Sequence, residues 1–265
     1  IQRSGKTALT VALHLDFVAK QISGTITSPE PDVWTSVLMA DIAPYSNANH
    51  FPDSARYTMA IPPGDGAPTH SPGGFGFGFV TNNPLGLISL IGTLSDGTPV
   101  SQTVPISQQG YWPLYIPLYG NRGLIEGWVN FSSGSPRGNV SWIRPAGALT
   151  SSYTNGFTNI GTIFGSPYTP MTPSYDPGDA ALDVGLPRLT FPYAVSNNNA
   201  IVELPGGPTN YLAGSISAAN GAVTISYRPT GSQANLTGHA AVLQWNNGAY
   251  GYVLSNKVSL PLHLH

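Results

Sequence analysis

Along Thr7–Lys20 the apolar residues Leu9, Val11, Leu13, Leu15 and Phe17 fall at every second position, in what is otherwise the most helix-like stretch of the chain. Successive side chains of a strand point to opposite faces, so this period predicts a strand and rules out an amphipathic helix. The same reading recurs over Gln21–Thr27, Val33–Ile42, Arg56–Ile61, Phe75–Val80, Gly86–Leu94, Val100–Ser107, Trp112–Tyr119, Leu124–Phe131 and Asn139–Ile143. It continues over Arg188–Tyr193, Ala200–Leu204, Tyr211–Ser217, Ala222–Tyr227, Gly238–Trp245, Tyr250–Ser255 and Lys257–Leu262. Turn residues lie between them, as at Ser95–Thr98, Gln108–Gly110, Asn220–Gly221 and Asn246–Gly248. About sixteen short strands at this spacing predict an all-β, antiparallel chain, either barrel-like or a curved β-sandwich.

One local pattern recurs, with a glycine set among apolar residues inside a strand. It is found around Gly24, Gly127, Gly214 and Gly238. Glycine weakens a strand, so its repetition predicts bends or close backbone approach on a strongly curved sheet and favours a barrel. The stretch from Ala148 to Pro187 breaks the pattern. It is rich in Ser, Thr, Gly, Pro and Tyr, and its one clear strand is Gly161–Phe164. Such a connection is either a lid or a boundary between two parts. One continuous unit over 1–265 is the preferred reading, because the short later strands need a sheet to pack against.

Composition narrows the setting. Only 8% of residues are charged, with 10 Lys or Arg against 12 Asp or Glu. That balance lacks the clustered cations of a nucleic-acid binder. No apolar run is long enough for a transmembrane helix. A transmembrane barrel is a weaker expectation, since the Pro-rich strands lack a regular outward apolar face. With no cysteine there are no disulfides, thiolate metal sites or thiol nucleophiles. Few charges with abundant Gly, Ser, Thr, Asn and Pro point to an extracellular or cell-surface location. The chain begins at Ile1 with no signal-peptide pattern, which reads as a mature or excised segment.

Several segments share a character: Tyr57–Pro62, LSDGTPVSQ from Leu94, QGYWPLYIPLY from Gln109, GLIEGWVNF from Gly123, SWIRP from Ser141, YTNGF from Tyr153 and GSPY from Gly165. Together with the closing Thr237–Leu262 segment, they resemble a β-rich module of very large secreted bacterial surface proteins. The likeness spans about 57–262 and rests on aromatic, glycine and turn residues. It implies a secreted, barrel-like module and carries no catalytic or binding residues with it.

Candidate chemistry comes from the residues themselves. In the aromatic block, alternation places Tyr111, Pro113, Tyr115, Pro117 and Tyr119 on one face and Trp112, Leu114, Ile116 and Leu118 on the other. Two prolines cannot donate to a neighbour, which predicts an edge strand. Tyr111, Tyr115 and Tyr119, with Trp128 and Trp142 nearby, form a candidate ligand-binding platform. The competing expectation is that the Trp face is core and the Tyr face merely covers it. Phe75, Phe77 and Phe79 alternate with Gly74, Gly76 and Gly78, predicting one large apolar face and one bare face for packing.

His263 and His265 could share a metal with His14 or Asp16 if the terminal strands pair. Asp65, Asp176, Asp179 and Asp183 are loop oxygens of the kind that bind calcium, although turn formation accounts for them more simply. No nucleophile elbow, zinc-protease signature or phosphate loop occurs. Asp16, Asp41, Asp96, Glu126 and Glu203 are candidate carboxylates for a glycosidase pair, and Glu126 could equally pair with Arg122 or Arg144. Asn130, Asn139 and Asn235 open N-x-S/T sequons, which matter only in a eukaryotic secretory pathway.

The expected function is that of a non-catalytic structural or adhesive module without cofactor or metal. It would assemble by strand pairing with other chains, including as a homo-oligomer, with Thr7–Phe17 as the pairing strand. The alternatives are a carbohydrate-binding module acting on surface glycans through its aromatic platform, and a secreted hydrolase.

Overall fold

A computed structural model describes residues 1–52, 55–64, 66–131, 133–147, 153–170, 181–184, 189–205, 209–229 and 231–265. The described chain is antiparallel β throughout, apart from a 3₁₀ turn at Gln244–Asn246. No described helix is long and apolar enough to cross a membrane.

Three sheets form. The first is an open sheet of β1 (Thr10–Asp16), β2 (Gln21–Ser28) and β3 (Trp34–Asp41), in that order. The second has eight strands: β4 (Arg56–Ile61), β5 (Gly76–Asn82), β6 (Leu87–Thr93), β7 (Pro99–Pro105), β8 (Tyr111–Leu118), β9 (Gly123–Asn130), β10 (Arg137–Arg144) and β11 (Phe157–Pro167). Their order is β7-β6-β5-β4-β11-β10-β9-β8, so β11 is central, between β4 and β10. The third sheet is a closed barrel. Its strands run consecutively: β12 (Ala181–Val184), β13 (Leu189–Val195), β14 (Ala200–Glu203), β15 (Thr209–Ile216), β16 (Ala222–Pro229), β17 (Leu236–Leu243), β18 (Gly248–Ser255) and β19 (Val258–Leu264).

The later strands thus form a sheet of their own, which also packs on the second sheet through Phe77, Ala241 and Tyr252. They close on themselves because β19 pairs with both β18 and β12. Within the segment read as a bare connection, β11 is much longer than Gly161–Phe164, and β12 is a strand that the composition hid. Both are held by registers with distant strands, which local sequence does not encode.

Alternation fills each interior. Trp112, Leu114, Ile116 and Leu118 are buried with Ile125, Val129, Val140 and Trp142 inside the curled second sheet. In the barrel, Phe191, Tyr193, Leu212, Ile225, Tyr227, Val253 and Leu262 form a packed core. Thr224 and His239 face out from it. The barrel interior is apolar, and its outer side mixes such polar residues with the exposed Val202, Tyr211 and Leu254.

The Gly/Phe strand does both jobs predicted of it. A Cβ on Gly78 would meet Leu90 Cδ1 at 2.5 Å, so a neighbouring side chain fills its bare face. On the other face Phe77 packs with Ala241 and Tyr252 of the barrel. Phe75 N–H donates to Gly251 O at 2.9 Å and Gly73 N–H to Ser259 O at 3.0 Å, joining sheet to barrel by main-chain bonds.

The second sheet curls until its edge strands meet, and β8 is an edge strand as its prolines require. Gln102 of β7 spans the seam. Its Nε2 donates to the carbonyls of Pro113 (3.0 Å) and Tyr115 (3.2 Å), while its Oε1 accepts Trp112 Nε1–H at 2.8 Å. A backbone ladder cannot form across this seam, because Pro113 and Pro117 supply no N–H. One side chain satisfies the outward carbonyls instead.

Candidate functional site

Three of the five aromatic residues singled out from sequence reach one surface. Tyr111, Tyr115 and Trp128 are 40%, 55% and 49% exposed on the outer face of β8 and β9. The Tyr111 ring meets the Trp128 indole edge to face, with centroids 6.2 Å apart, which orients the indole. Register carries the surface across four strands. Tyr115 lies opposite Glu126, which lies opposite Ser141, opposite Ile160. The next row runs Pro113, Trp128, Asn139 and Thr162. All of these but Thr162 line a shallow cleft of about 440 Å³ on the outside of the sheet.

Tyr119 does not belong to this face, which corrects the alternation argument at its last residue. Tyr119 has φ 53° and lies past the end of β8, where the chain turns back. Its hydroxyl donates to Asp96 Oδ2 at 2.7 Å and accepts Trp142 Nε1–H at 3.0 Å. Trp142 is likewise core and no part of a platform.

Asp96 and Arg144 form the one ion pair among the described residues, at 3.2 Å, with side chains 2% and 1% exposed. Thr98 N–H donates to the other Asp96 oxygen, and the Arg144 guanidinium lies over the rings of Tyr119 and Tyr153. The Tyr153 hydroxyl accepts Ser259 N–H from the barrel at 2.8 Å, so the network reaches across the junction. Arg144 is thereby unavailable to Glu126, and Arg122 donates to Gly147 O instead. Glu126 stays exposed in the cleft, where no cation lines the wall.

Burial, reinforced by the Asp96 charge, drives the Tyr119 hydroxyl far above the ordinary phenol range. Burial pushes Tyr227 up to about 12, and burial with the Asp96 charge does the same for Tyr252. These phenols hold their protons when folded and lose them near pH 10 when unfolded. Their stabilisation is full below about pH 10 and is lost as pH rises through about 12. Melting temperature followed from pH 8 to 12 is therefore expected to stay level on this account to about pH 10 and then fall. A profile flat to pH 12 would contradict it.

The remaining candidates separate. The terminal strands do not pair, because β19 takes its place beside β12 and β18, so His263 and His265 are remote in pairing from His14 and Asp16. His263 instead stacks on Tyr250 and on His265. No cluster of three metal-ligating side chains occurs among the described residues. Asp65, Asp176 and Asp179 lie outside the described residues, and for Asp183 only the backbone is described, in β12. Asp16 accepts the N–H groups of Val18 and Ala19 in a turn, and Asp41 accepts Gln21 Nε2 at 2.7 Å.

The open sheet is the second notable surface. Register puts Val11, Leu13 and Leu15 of β1, Ile22, Gly24 and Ile26 of β2, and Trp34, Leu38 and Ala40 of β3 on one face. Ser28 and Ser36 lie on that face too, while Thr10, His14, Ser23, Thr25, Thr35 and Asp41 share the other with Val37 and Met39. Leu13 and Leu15 are 53% and 51% exposed, and no residue of the sheet belongs to any core cluster. Sequence pointed to β1 alone; β2 and β3 contribute equally. The glycine pattern bears on this face as well, since Gly127, Gly214 and Gly238 all sit on core-facing sides of their strands.

The chain matches no known family, no curated protein and no solved structure.

Proposed function

We infer that this chain is an extracellular structural module that assembles with further copies of itself through β1–β3. The observation that carries this reading is the uncovered apolar face of the open sheet. Gly24 lies between Leu13 and Leu38 there, in the same setting that faces a core in the other two sheets. That face is built as an inner face and lacks its second layer. A sheet of this kind gains stability by burying the face against another element, and each Leu or Ile so covered contributes about 1.5–3 kcal/mol. Both edges, β1 and β3, also lack the prolines that blunt β7 and β8. The low charge supports close packing of modules, since a surface of Ser, Thr, Asn and Gly repels its neighbours little.

Sedimentation velocity over a hundredfold concentration range tests it. The intact chain is expected to associate as concentration rises. Deleting 7–17, or introducing Leu13→Lys with Leu15→Lys, is expected to leave a monomer whose barrel melts as before. A monomeric parent chain, or association that both variants retain, would sink the proposal.

A further inference from the structure

We propose that the cleft crossing β8, β9, β10 and β11 binds an uncharged oligosaccharide, laid across the strands on Tyr115 and Trp128. This site is separate from the assembly face and does not depend on it. The first ground is the placement of the aromatics. Large rings normally enter the core, and the inner face of these strands already has Trp112 and Trp142 there. Tyr111, Tyr115 and Trp128 remain outside, half exposed, with the Trp128 indole held by the Tyr111 ring. An oriented ring of this kind loses little freedom on binding, and its face suits the C–H face of a pyranose.

The second ground is what lies between the rings. Glu126 occupies the position between Tyr115 and Ser141, with exposed carboxylate oxygens that accept hydroxyl protons. Asn139 uses its carbonyl oxygen for Thr162 Oγ1–H at 2.7 Å, which leaves its amide N–H groups to donate. Ser141 adds a hydroxyl that does both. Acceptors, donors and flat apolar faces alternate across the cleft, matching a sugar, whose ring faces are apolar and whose rim is hydroxylated.

The third ground excludes the main competitor. An extended peptide would bind this edge by strand addition, but Pro113 and Pro117 offer no N–H. The outward carbonyls of Pro113 and Tyr115 are already taken by Gln102. A ligand here must therefore be held by side chains. It must also be uncharged or weakly cationic, because Glu126 is the one ionisable carboxylate or basic group lining the cleft.

Affinity electrophoresis of the full chain tests this, in gels containing neutral β-glucan, neutral mannan or acidic polygalacturonate, with a lysine-rich peptide titrated separately by calorimetry. Retardation by at least one neutral polysaccharide and none by the acidic one is expected. Trp128→Ala and Tyr115→Ala should each weaken the neutral interaction about tenfold or more, as loss of a stacking partner does. Trp128→Phe should retain part of it, and all three variants should melt with the parent because the residues lie at the surface. No retardation by either neutral polymer, or retardation indifferent to Trp128→Ala, would overturn the proposal. Binding of the lysine-rich peptide alone, abolished by Glu126→Gln, would overturn it in favour of a cationic ligand.

Discussion

Asp96→Ala is expected to lower the free energy of unfolding by about 3–5 kcal/mol. The side chains of Asp96 and Arg144 are almost wholly buried, so the substitution takes away the carboxylate that the guanidinium bonds at 3.2 Å where water hardly reaches. It also strips the Tyr119 hydroxyl and the Thr98 N–H of their acceptor. The conservative Asp96→Asn keeps an oxygen for those donors but not the charge, and should fall between parent and Ala variant. Replacing both partners, as in Asp96→Leu with Arg144→Met, removes the buried cation together with its carboxylate and should cost less than Asp96→Ala alone. Urea denaturation of the four proteins measures this. An Asp96→Ala variant within about 1 kcal/mol of the parent would show that water reaches the pair. Since Tyr153 ties the network to Ser259, the loss should also loosen the junction between the second sheet and the barrel, visible as faster amide exchange at Gly73–Phe75.

Trp112→Ala is expected to cost about 3–5 kcal/mol, through the cavity left by a fully buried ring. A second consequence distinguishes this residue from other core aromatics. The Trp112 indole N–H holds the Gln102 amide in the orientation that bridges β7 and β8. Trp112→Phe fills much of the space but releases that amide, and Gln102→Ala removes the bridge while leaving the ring. Both should accelerate exchange along β7 and β8 relative to β4 and β5, at a smaller stability cost of about 1 kcal/mol for the lost bonds. Uniform exchange across the sheet in both variants would mean that Gln102 does not close the seam.

The extent to which this molecule was legible beforehand follows from the range of each interaction. Arg56–Ile61 can be read residue for residue, because alternation and the flanking turns are local and β4 uses both. The edge position of β8 was legible too, since a missing N–H at Pro113 and Pro117 is a property of the residues themselves. The burial of Trp112 and the exposure of Tyr115 followed from parity along one strand. Tyr119 failed because parity ends where the backbone turns to positive φ. Asn139, Ser141, Ile160 and Thr162 could not be recognised as neighbours of Tyr115, because the registers of β9, β10 and β11 depend on contacts between residues tens of positions apart.

By itself, then, the amino-acid order determined an antiparallel β protein, the faces of individual strands, the edge at β8 and a surface poor in charge. Period, turn chemistry and proline act within a few residues, so they can be read without partners. Tertiary structure alone decided that β12–β19 close into a barrel, that Arg144 belongs to Asp96 and not to Glu126, and that Tyr115 and Trp128 meet a row of polar groups in one cleft. It also decided that the apolar side of β1–β3 is left without a covering layer. Each of these depends on which strands become neighbours, and strand neighbours are selected by the packing of whole faces against one another.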